Sequence, residues 1–168
     1  MSTDELVALY DPGDGEGRVT GSAPRSRVRR ENLPHAATGV LLLRPDGAVL
    51  VHRRSATKDL WPGAHDAAFG GVVLAGEDPA QAAARELAEE AGVTGAVLVP
   101  LLRTWYRDAQ TWYLAHVYTA VWDGDVSFDD GEVEHAWWEP LPVLRRRLAD
   151  PAWPFVPDTR ALLEAAPL

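Results

Sequence analysis

The order of apolar and polar residues predicts a chain with many short strands. Two apolar runs, Ala37–Leu43 and Ala48–His52, flank a Pro-Asp-Gly turn and predict a β-hairpin. Near the start of the chain, Leu6–Tyr10 predicts a strand. Arg18–Ser22 is placed to return antiparallel to it after the Asp- and Gly-rich turn at residues 11–15.

The middle of the chain is less regular. Ser55–Asp66 carries a Trp-Pro-Gly motif and is predicted to be a loop. Ala67–Leu74 is apolar but contains the adjacent residues Gly70 and Gly71, which indicates a strand with a bulge or a close backbone approach.

The second half of the sequence adds further strands and helices. Strands are predicted at Val97–Thr104, Thr111–Trp122 and Val133–Trp138, and helices at Leu141–Leu148 and Asp158–Ala166. No internal repeat or long linker divides the chain. We therefore predict an α+β protein with one domain over residues 1–168, comprising a core at about residues 35–165 and a β-hairpin extension at residues 1–34.

The segment Asp78–Ala91 has the strongest helix signals. Asp78 suits the N-cap, Pro79 the first helical position, and Gln81 completes a capping-box arrangement. Gly92 is the natural end of the helix. The apolar face predicted to pack against a sheet consists of Ala84, Leu87, Ala88 and Ala91.

Three carboxylates share one face of this predicted helix. Glu86, Glu89 and Glu90 stand at positions i, i+3 and i+4, on the side expected to point away from the apolar residues. A solvated surface is the ordinary explanation of such a stripe. However, like charges at this spacing repel each other, and the helix dipole disfavours anions in the last turn.

A bound divalent cation would relieve both penalties. Carboxylate oxygens suit Mg²⁺, which is commonly shared with substrate phosphates. Arg85 lies one turn before Glu89 and is placed to pair with it. A free backbone carbonyl near Gly70 could complete the metal site, although a simple bulge would explain the two glycines equally well without the helix beside them.

Composition narrows the chemistry. The sequence has no cysteine, which excludes disulfides, thiolate metal sites and cysteine nucleophiles. Its formal net charge of −9 argues against binding a nucleic-acid polymer. There is no signal-peptide pattern and no apolar stretch of membrane-spanning length, so we expect a cytoplasmic protein without a membrane partner.

Basic residues are concentrated in two places. One cluster comprises Arg25, Arg27, Arg29 and Arg30, and the other comprises Arg145, Arg146 and Arg147. A solvated surface explains either cluster, and we favour that explanation for the second. Local cations matter here because an acidic protein binds an anionic phosphate compound poorly without them.

The sequence from Gly71 to Val93 resembles the Nudix hydrolase family. Every defined position of the Nudix box is matched. The match consists of Gly71, then five residues and Glu77, then seven residues and Arg-Glu-Leu-Ala-Glu-Glu-Ala-Gly-Val at residues 85–93. The resemblance implies an αβα sandwich with a mixed β-sheet, in which the box forms a strand, a loop and a helix.

The resemblance also implies roles for individual residues. Glu86, Glu89, Glu90 and a carbonyl near Gly70 would bind Mg²⁺, with Mn²⁺ as a possible substitute. Arg85 and Glu77 would hold the loop and the helix in place, with Gly71 and Gly92 as structural residues of the box. Glu89 or Glu90 would be nearest the role of the catalytic base.

Residues outside the box resemble the branch related to isopentenyl-diphosphate isomerase. This likeness is found at His35 and in the segments Val51–Gly63 and Pro154–Asp158. It extends over most of Leu6–Leu163. In that branch, an arginine and a lysine matching Arg54 and Lys58 hold the diphosphate. A forked guanidinium and an ammonium suit this task.

The departures from that branch are equally informative. Gly70 stands where the isomerase has its catalytic cysteine. Val28 and Val72 replace two of its metal ligands, and its glutamate-bearing strand aligns with residues 111–113. Alkene isomerisation is therefore not expected, and the chain resembles an isomerase-like scaffold that carries a hydrolase box.

Four further residues are weaker candidates for the site. Glu132 and Glu134 precede or begin a predicted strand in a region where many Nudix hydrolases have an acidic ligand or base, but a solvated loop explains them as well. The resemblance alone makes His35 a better candidate for the site than the other histidines. Trp61 lies in a loop close to Lys58 and is a candidate for lining the substrate pocket.

These observations predict metal-dependent hydrolysis of a phosphoanhydride bond in a small diphosphate compound, such as a nucleoside diphosphate linked to another moiety. One alternative is a noncatalytic Nudix domain that senses a nucleotide, and the intact box weighs against it. An isomerase-like enzyme is the weaker alternative because the cysteine is missing. A homodimer is possible.

Overall fold

The structure is a computed structural model that describes residues 4–13 and 15–168. It contains eight strands: β1 (Leu6–Tyr10), β2 (Val19–Pro24), β3 (His35–Leu43), β4 (Val49–Arg54), β5 (His65–Asp66), β6 (Val99–Arg107), β7 (Trp112–Val121) and β8 (Val133–Glu139). It contains four helices: α1 (Arg25–Glu31), α2 (Pro79–Ala91), α3 (Leu141–Leu148) and α4 (Pro157–Ala165). The turn predicted at residues 11–15 includes Asp14, which lies outside the described residues, as do residues 1–3.

The eight strands form one mixed sheet centred on β3. Strand β7 runs parallel to β3 along its whole length, from the pair His35 and Tyr113 to the pair Leu43 and Val121. All other pairings are antiparallel: β1 with β2 and β3, β6 with β7, and β4 with β3, β5 and β8.

The sheet opens between β3 and β4. These two strands pair only at Leu43 and Val49, next to their connecting turn. Farther along, β5 pairs with β4, whereas Phe69 and Val72 form isolated bridges to β3. Residues 65–74 therefore occupy the gap between the two diverging strands, which is where the glycine pair lies.

Alternate residues of the sheet face two separate cores. On one face, Leu41, Val51 and Val117 pack with Leu144 of α3 and Leu163 of α4. On the other face, buried residues of the sheet pack against α2. They include Val40, Leu42, Leu50 and Tyr118 of the sheet and Ala83, Leu87 and Ala91 of α2. Helices thus cover both faces, and the predicted α+β fold with an αβα sandwich is confirmed.

The sequence patterns were wrong or incomplete for three segments. Helix α1 was not predicted, because only Val28 among its seven residues is buried and no side chain caps its start. Ala67–Leu74 is not a continuous strand, because its β-bridges, at Phe69, Val72 and Leu74, are isolated ones. The predicted loop Ser55–Asp66 ends in the two-residue strand β5.

Most other elements agree with the sequence patterns to within about three residues, which is the usual uncertainty of element ends predicted from sequence. None of the helices in residues 4–13 and 15–168 combines the length and apolar character needed to cross a membrane.

Helix α2 should depend strongly on the side chain of Leu87, which is 2% exposed. We expect Leu87→Ala to lower the free energy of unfolding by about 2–5 kcal/mol, because it removes buried methyl groups and leaves a cavity. Leu6→Ala is a matched control, since Leu6 is 53% exposed and should change stability by only about 0.5 kcal/mol. Urea unfolding measures both, and equal losses would contradict this account of the core.

Candidate active site

Gly70 and Gly71 bring the backbone into close contact with β3 and α2. A Cβ atom on Gly70 would lie 1.9 Å from the carbonyl oxygen of Thr38, and one on Gly71 would lie 2.5 Å from Oε1 of Glu86. At Gly70 the opposing atom belongs to the backbone, so there is no room for a side chain, whereas a side chain on Gly71 would have to displace the Glu86 carboxylate. The position of the isomerase's cysteine therefore has no space for cysteine in this backbone.

The ends of α2 form as the sequence predicts. The Asp78 side chain accepts a hydrogen bond from the backbone N–H of Ala80, and the Gln81 side chain accepts one from the N–H of Asp78. Gly92 ends the helix in the left-handed conformation with φ of 66°. These caps fix the register of the helix and therefore the direction in which each glutamate points.

The predicted apolar face of α2 was wrong by about one position. Its buried residues are Ala82, Ala83, Leu87 and Ala91, whereas Ala84 is exposed and Ala88 is half-buried. Because the buried face is rotated, Glu86 and Glu90 do not point away from the protein. Both are half-buried against the glycine pair, and only Glu89 is exposed.

Arg85 links the loop to the helix. Its Nε and Nη2 donate to the two carboxylate oxygens of Glu77 at 2.8 and 3.1 Å, and its Nη1 donates to Glu86 at 2.6 Å. Glu77 in turn accepts a hydrogen bond from the N–H of Leu74. The expected pairing with Glu89 is longer, at 3.5 Å, and involves a side chain that is 60% exposed.

Glu90 is held on the other side of the same helix turn. Its Oε2 accepts a hydrogen bond from the N–H of Gly70 at 3.0 Å. Burial, and after it the neighbouring charge of Glu86, raises the pKa of Glu90 to about 8. Burial also raises the pKa of Glu86, although Arg85 opposes this shift. Two carboxylates are thus kept close together at a site where ionising both is unfavourable.

These carboxylates are not arranged as a preformed metal cluster. In the described part of the chain, no three acidic or histidine side chains converge in that way. The reason is visible in the contacts, because Glu86 is turned towards Arg85 and Glu90 towards the N–H of Gly70.

A large cavity of about 270 Å³ opens on the other side of the glycine pair. Strands β3 and β7 line it with the apolar side chains of Leu41, Ala115 and Val117, and α1, α4 and the loop after β4 line the remainder. A small cleft of about 50 Å³ adjoins Gly70 and is lined by Glu90, Glu132, His52, Arg54 and Asp66, among others.

The two predicted diphosphate ligands have different surroundings. Arg54 lines both the large cavity and the small cleft, and it donates from Nε and Nη2 to the carbonyl oxygen of Leu60. The Nζ of Lys58 forms an ion pair with Glu132 at 2.8 Å, and Lys58 lines neither space.

Of the weaker candidates, His35 lines the large cavity, Glu132 lines the small cleft and Glu134 lines neither. Glu132 lines the small cleft next to Glu90. Glu134 pairs with Arg53 at 3.6 Å, and both of these side chains are half exposed, away from the glycine pair. His35 is buried in the wall of the large cavity, where Nδ1 lies 2.9 Å from the carbonyl oxygen of Leu33 and burial lowers its pKa.

Trp61 lies at the rim of the large cavity with 41% of its surface exposed. Its backbone φ is 52°, a left-handed conformation that is rare for a bulky residue and that folded structure must hold in place. The hydrogen bonds from Arg54 to the preceding carbonyl contribute to holding it.

Sequence reasoning missed several residues of the large cavity. Arg25 and Arg29 of α1 lie at its rim, although the basic cluster gave no sign of which arginines would face inwards. Asp66 and Asp158 also line it, and Asp158 accepts a hydrogen bond from the Tyr113 hydroxyl at 2.8 Å. Burial raises the pKa of both aspartates. No sequence spacing links these residues, since they meet only through the fold.

Comparison with known proteins agrees with this geometry. The family model of the NUDIX domain matches residues 33–159. An uncharacterized Nudix hydrolase of Rhodococcus erythropolis is 40% identical over 171 residues, covering 95% of this chain and 90% of that one. A second uncharacterized Nudix hydrolase, from Streptomyces coelicolor, is 38% identical over 160 residues, covering 94% of this chain and 85% of that one.

Solved structures share the fold. The crystal structure of DR0079 from Deinococcus radiodurans has a TM-score of 0.78 at 23% identity and covers 98% of this chain and 100% of that one. The NUDIX domain of Shewanella oneidensis NrtR, solved with ADP-ribose, has a TM-score of 0.60 at 22% identity, covering 77% and 83%.

The chain therefore belongs to the Nudix family. It is a Nudix hydrolase, an enzyme that acts on the diphosphate bonds of its substrates. Nudix hydrolases generally use divalent metal ions.

The surroundings of Glu90 predict a pH-dependent stability of the metal-free protein. The pKa of Glu90 is about 8 in the folded chain and 4.5 in the reference state. The contribution of Glu90 to the free energy of unfolding therefore falls as pH rises through this interval, because ionisation of its carboxyl is harder in the folded state. Glu90→Gln does not titrate, so in chelator it should melt above the wild type at alkaline pH.

The difference in melting temperature should shrink towards about pH 4, where the wild-type carboxyl is protonated in both states. Glu89→Gln is the matched control, since Glu89 is exposed and should follow the wild-type profile. A melting-temperature gap for Glu90→Gln that is largest in acid would contradict the raised pKa.

Proposed function

We propose that this chain hydrolyses a phosphoanhydride bond in a small diphosphate compound and needs Mg²⁺, or Mn²⁺ in its place, to do so. The compound is a nucleoside diphosphate linked to another moiety or a related diphosphate. The observation that carries this proposal is the pair of half-buried carboxylates, Glu86 and Glu90, packed against Gly70 and Gly71 beside a cavity of about 270 Å³.

The donor chemistry fits a hard divalent cation. Glu86, Glu89 and Glu90 offer carboxylate oxygens, and the Gly70 carbonyl accepts no hydrogen bond from the described residues. The mutual repulsion of Glu86 and Glu90 is a second sign, because a cation between them would offset it. When bound, Mg²⁺ supplies positive charge to the phosphate oxygens and lowers the pKa of a bound water.

The protein's own groups would carry the remaining steps. Glu89 or Glu90 accepts a proton from the attacking water, whose oxygen forms a bond to one phosphorus. The bond from that phosphorus to the bridging oxygen breaks, and the other phosphate leaves with the bridging oxygen. Arg85 positions the helix through Glu77 and Glu86, and Arg54 offers charge to the diphosphate at the mouth of the cavity.

The structure offers no observation in favour of the two alternatives. The isomerase reaction needs a cysteine, the sequence has none, and the backbone at Gly70 has no room for one. A noncatalytic sensor has no need of the full set of box glutamates, which this chain retains. The likeness to the isomerase branch, a cytoplasmic location and a homodimer stay predictions.

Metal removal tests the central proposal. A panel of nucleotide-containing diphosphates should release phosphate or a nucleoside monophosphate in Mg²⁺, lose this activity in chelator and recover it with Mg²⁺ or Mn²⁺. Glu86→Gln and Glu90→Gln should each lower kcat by about 10²-fold or more, as expected for a positioned group that acts in the transition state. Glu164→Gln on the exposed side of α4 is the control and should retain wild-type kcat.

Full turnover in metal-free buffer would overturn the metal requirement. Wild-type turnover by Glu90→Gln would remove Glu90 from the set of ligands and bases. In either case the variants must keep a cooperative thermal transition, which separates loss of activity from loss of fold.

Arg54 and Lys58 are tested by steady-state kinetics on one confirmed substrate. Arg54→Ala should raise KM by about 10-fold or more, because a charge-assisted hydrogen bond to the diphosphate is lost. Lys58→Ala should have the smaller effect, since its ammonium is paired with Glu132 at 2.8 Å and must leave that partner to reach a substrate.

Arg54→Lys should restore only part of the affinity, because a point charge does not reproduce the guanidinium fork. Arg146→Ala is the matched control, as Arg146 is exposed on α3 far from the cavity lining. Unchanged kcat and KM in Arg54→Ala and Lys58→Ala would show that the diphosphate binds elsewhere.

A further inference from the structure

Helix α1 is an addition to the Nudix domain that lines its large cavity. The helix spans Arg25–Glu31 and therefore precedes residues 33–159, which the family model of the NUDIX domain matches. Four residues of the helix and its C-cap nevertheless line the cavity: Arg25, Val28, Arg29 and Asn32. Because these positions follow the spacing i, i+3, i+4 and i+7, one face of the helix is turned towards the space where a substrate would lie.

Contacts at both ends and in the middle fix α1 in this position. At its start, the N–H of Arg25 donates to the carbonyl oxygen of Glu5 at 2.8 Å, and Nη1 pairs with the Glu5 carboxylate at 3.2 Å. Val28 is 2% exposed and packs into a buried cluster with β1 and β2. After the helix, Nδ2 of Asn32 donates to the carbonyl oxygen of Asp108 at 3.1 Å. A helix held in this way presents its side chains in fixed directions.

The arginines of α1 differ in their partners. On the outer face, Arg27 and Arg30 both form ion pairs with Glu31, at 3.1 and 3.4 Å. On the inner face, Arg25 is paired at the start of the helix. Within residues 4–13 and 15–168, the guanidinium of Arg29 forms neither an ion pair nor a hydrogen bond. All of its N–H donors are therefore available to a molecule in the cavity.

Acidic residues line the same cavity, but their carboxylates already have donors from the protein. Asp66, Asp108 and Asp158 each accept a hydrogen bond from at least one backbone N–H group. Asp108 and Asp158 also accept one from a tyrosine hydroxyl. The lining thus combines carboxylates that are held by the protein with a guanidinium, that of Arg29, for which the described residues supply no acceptor.

Arg29 lies towards the side of the cavity opposite the small cleft. Arg54 is the last residue of β4 and lines that cleft, whereas Arg29 does not. Arg29 stands one turn before Asn32, which contacts Asp108 in the turn between β6 and β7. The strand order from Arg54 to this turn is β4, β3, β7 and β6. Neighbouring strands are about 4.8 Å apart, so the two sides are separated by roughly 14 Å or more.

A substrate that extends along the cavity from the small cleft would therefore reach Arg29 with the half that is remote from the reacting bond. A guanidinium without a partner suits an anion there, and its fork matches phosphate oxygens with parallel N–H···O bonds. A phosphate monoester carries a charge of about −1.5 to −2 at neutral pH. It would interact more strongly than a carboxylate with Arg29 and with Arg25, one turn earlier on the same face.

We propose that α1 is a specificity element of the substrate site, in which Arg29 binds a phosphate monoester on the half of the substrate remote from the diphosphate. The substrate class is thus a diphosphate compound that carries an additional, terminal phosphate. This inference rests on the proposed hydrolase function and narrows its substrate. Arg29 is a specificity-determining residue, because it contacts the substrate without taking part in breaking the phosphoanhydride bond.

Pairs of compounds that differ by one phosphate monoester test the proposal on the wild-type protein. Coenzyme A is compared with dephospho-coenzyme A, and ADP-ribose 2′-phosphate with ADP-ribose, so that each pair shares its diphosphate. With Mg²⁺ present, kcat/KM should favour the phosphorylated member of at least one pair by about 10-fold or more, as expected for a charge-assisted hydrogen bond. The difference should appear mainly in KM, because the added phosphate lies away from the reacting phosphorus.

Substitutions in α1 test the assigned residue. Arg29→Ala should remove the preference for the phosphorylated compound, and Arg29→Glu should reverse it. Arg30→Ala is the matched control, since it removes the same charge from the next residue, whose side chain is 67% exposed and does not line the cavity. Arg30→Ala should keep the wild-type preference, and all three variants should keep a cooperative thermal transition. A preference that survives Arg29→Ala, or that Arg30→Ala removes equally, would contradict the assignment.

Calorimetry with adenosine 3′,5′-bisphosphate and adenosine 5′-monophosphate provides a readout without turnover, because neither compound has a phosphoanhydride bond. The bisphosphate should bind about 10-fold more tightly to the wild type and no more tightly to Arg29→Ala. Equal affinities together with equal kcat/KM in both pairs, or neither binding nor turnover of any of these compounds, would overturn the proposal.

The outcomes also separate this inference from the proposed function. Metal-dependent hydrolysis of diphosphates without any preference for the added phosphate would leave the hydrolase function standing and remove only the role of Arg29. Binding of the bisphosphate that depends on Arg29, without hydrolysis of any diphosphate, would support the phosphate site and overturn the proposed hydrolysis.

Discussion

The contact between Gly70, the carbonyl of Thr38 and the carboxylate of Glu90 determines the arrangement of the site. The chain must pass through the gap between β3 and β4 with no side chain, because a Cβ on Gly70 would lie 1.9 Å from Thr38. The same passage leaves the N–H of Gly70 free to bind Glu90 and its carbonyl without a partner among the described residues. The large cavity and the helix that bears the glutamates are therefore neighbours because one backbone segment separates them.

Arg85 keeps the acidic helix folded against that segment. Its guanidinium contacts Glu77 with two nitrogens and Glu86 with a third, so one positive charge compensates two carboxylates. Because Arg85 is also hydrogen-bonded to the carbonyl of Val72, the charge compensation is joined to the backbone position of the loop. Loss of this arginine would therefore affect geometry and electrostatics together, which a single substitution at Glu89 would not.

Sequence patterns recovered the elements whose burial is regular and missed those whose position depends on distant contacts. The caps of α2 were predictable because Asp78, Gln81 and Gly92 act locally. Helix α1 was not, since Val28 is its only buried residue. The direction of Glu86 and Glu90 was predicted wrongly because alanines at 82, 83, 84 and 88 give the periodicity too little contrast to fix the buried face. Asp66 and Asp158 meet only across the fold, so no spacing in the sequence could have paired them.

The distribution of charge explains how a protein with a net charge of −9 can receive an anion. Bulk acidity is a weak, screened effect at distances beyond about 10 Å, whereas Arg29 and Arg54 line the cavity itself. A diphosphate held at the rim lies beside Gly70 and Glu90, the place where the Nudix box concentrates its carboxylates. On the proposed function, Arg54 thus fixes which bond of the substrate faces the glutamates, because it lines the same small cleft as Gly70 and Glu90.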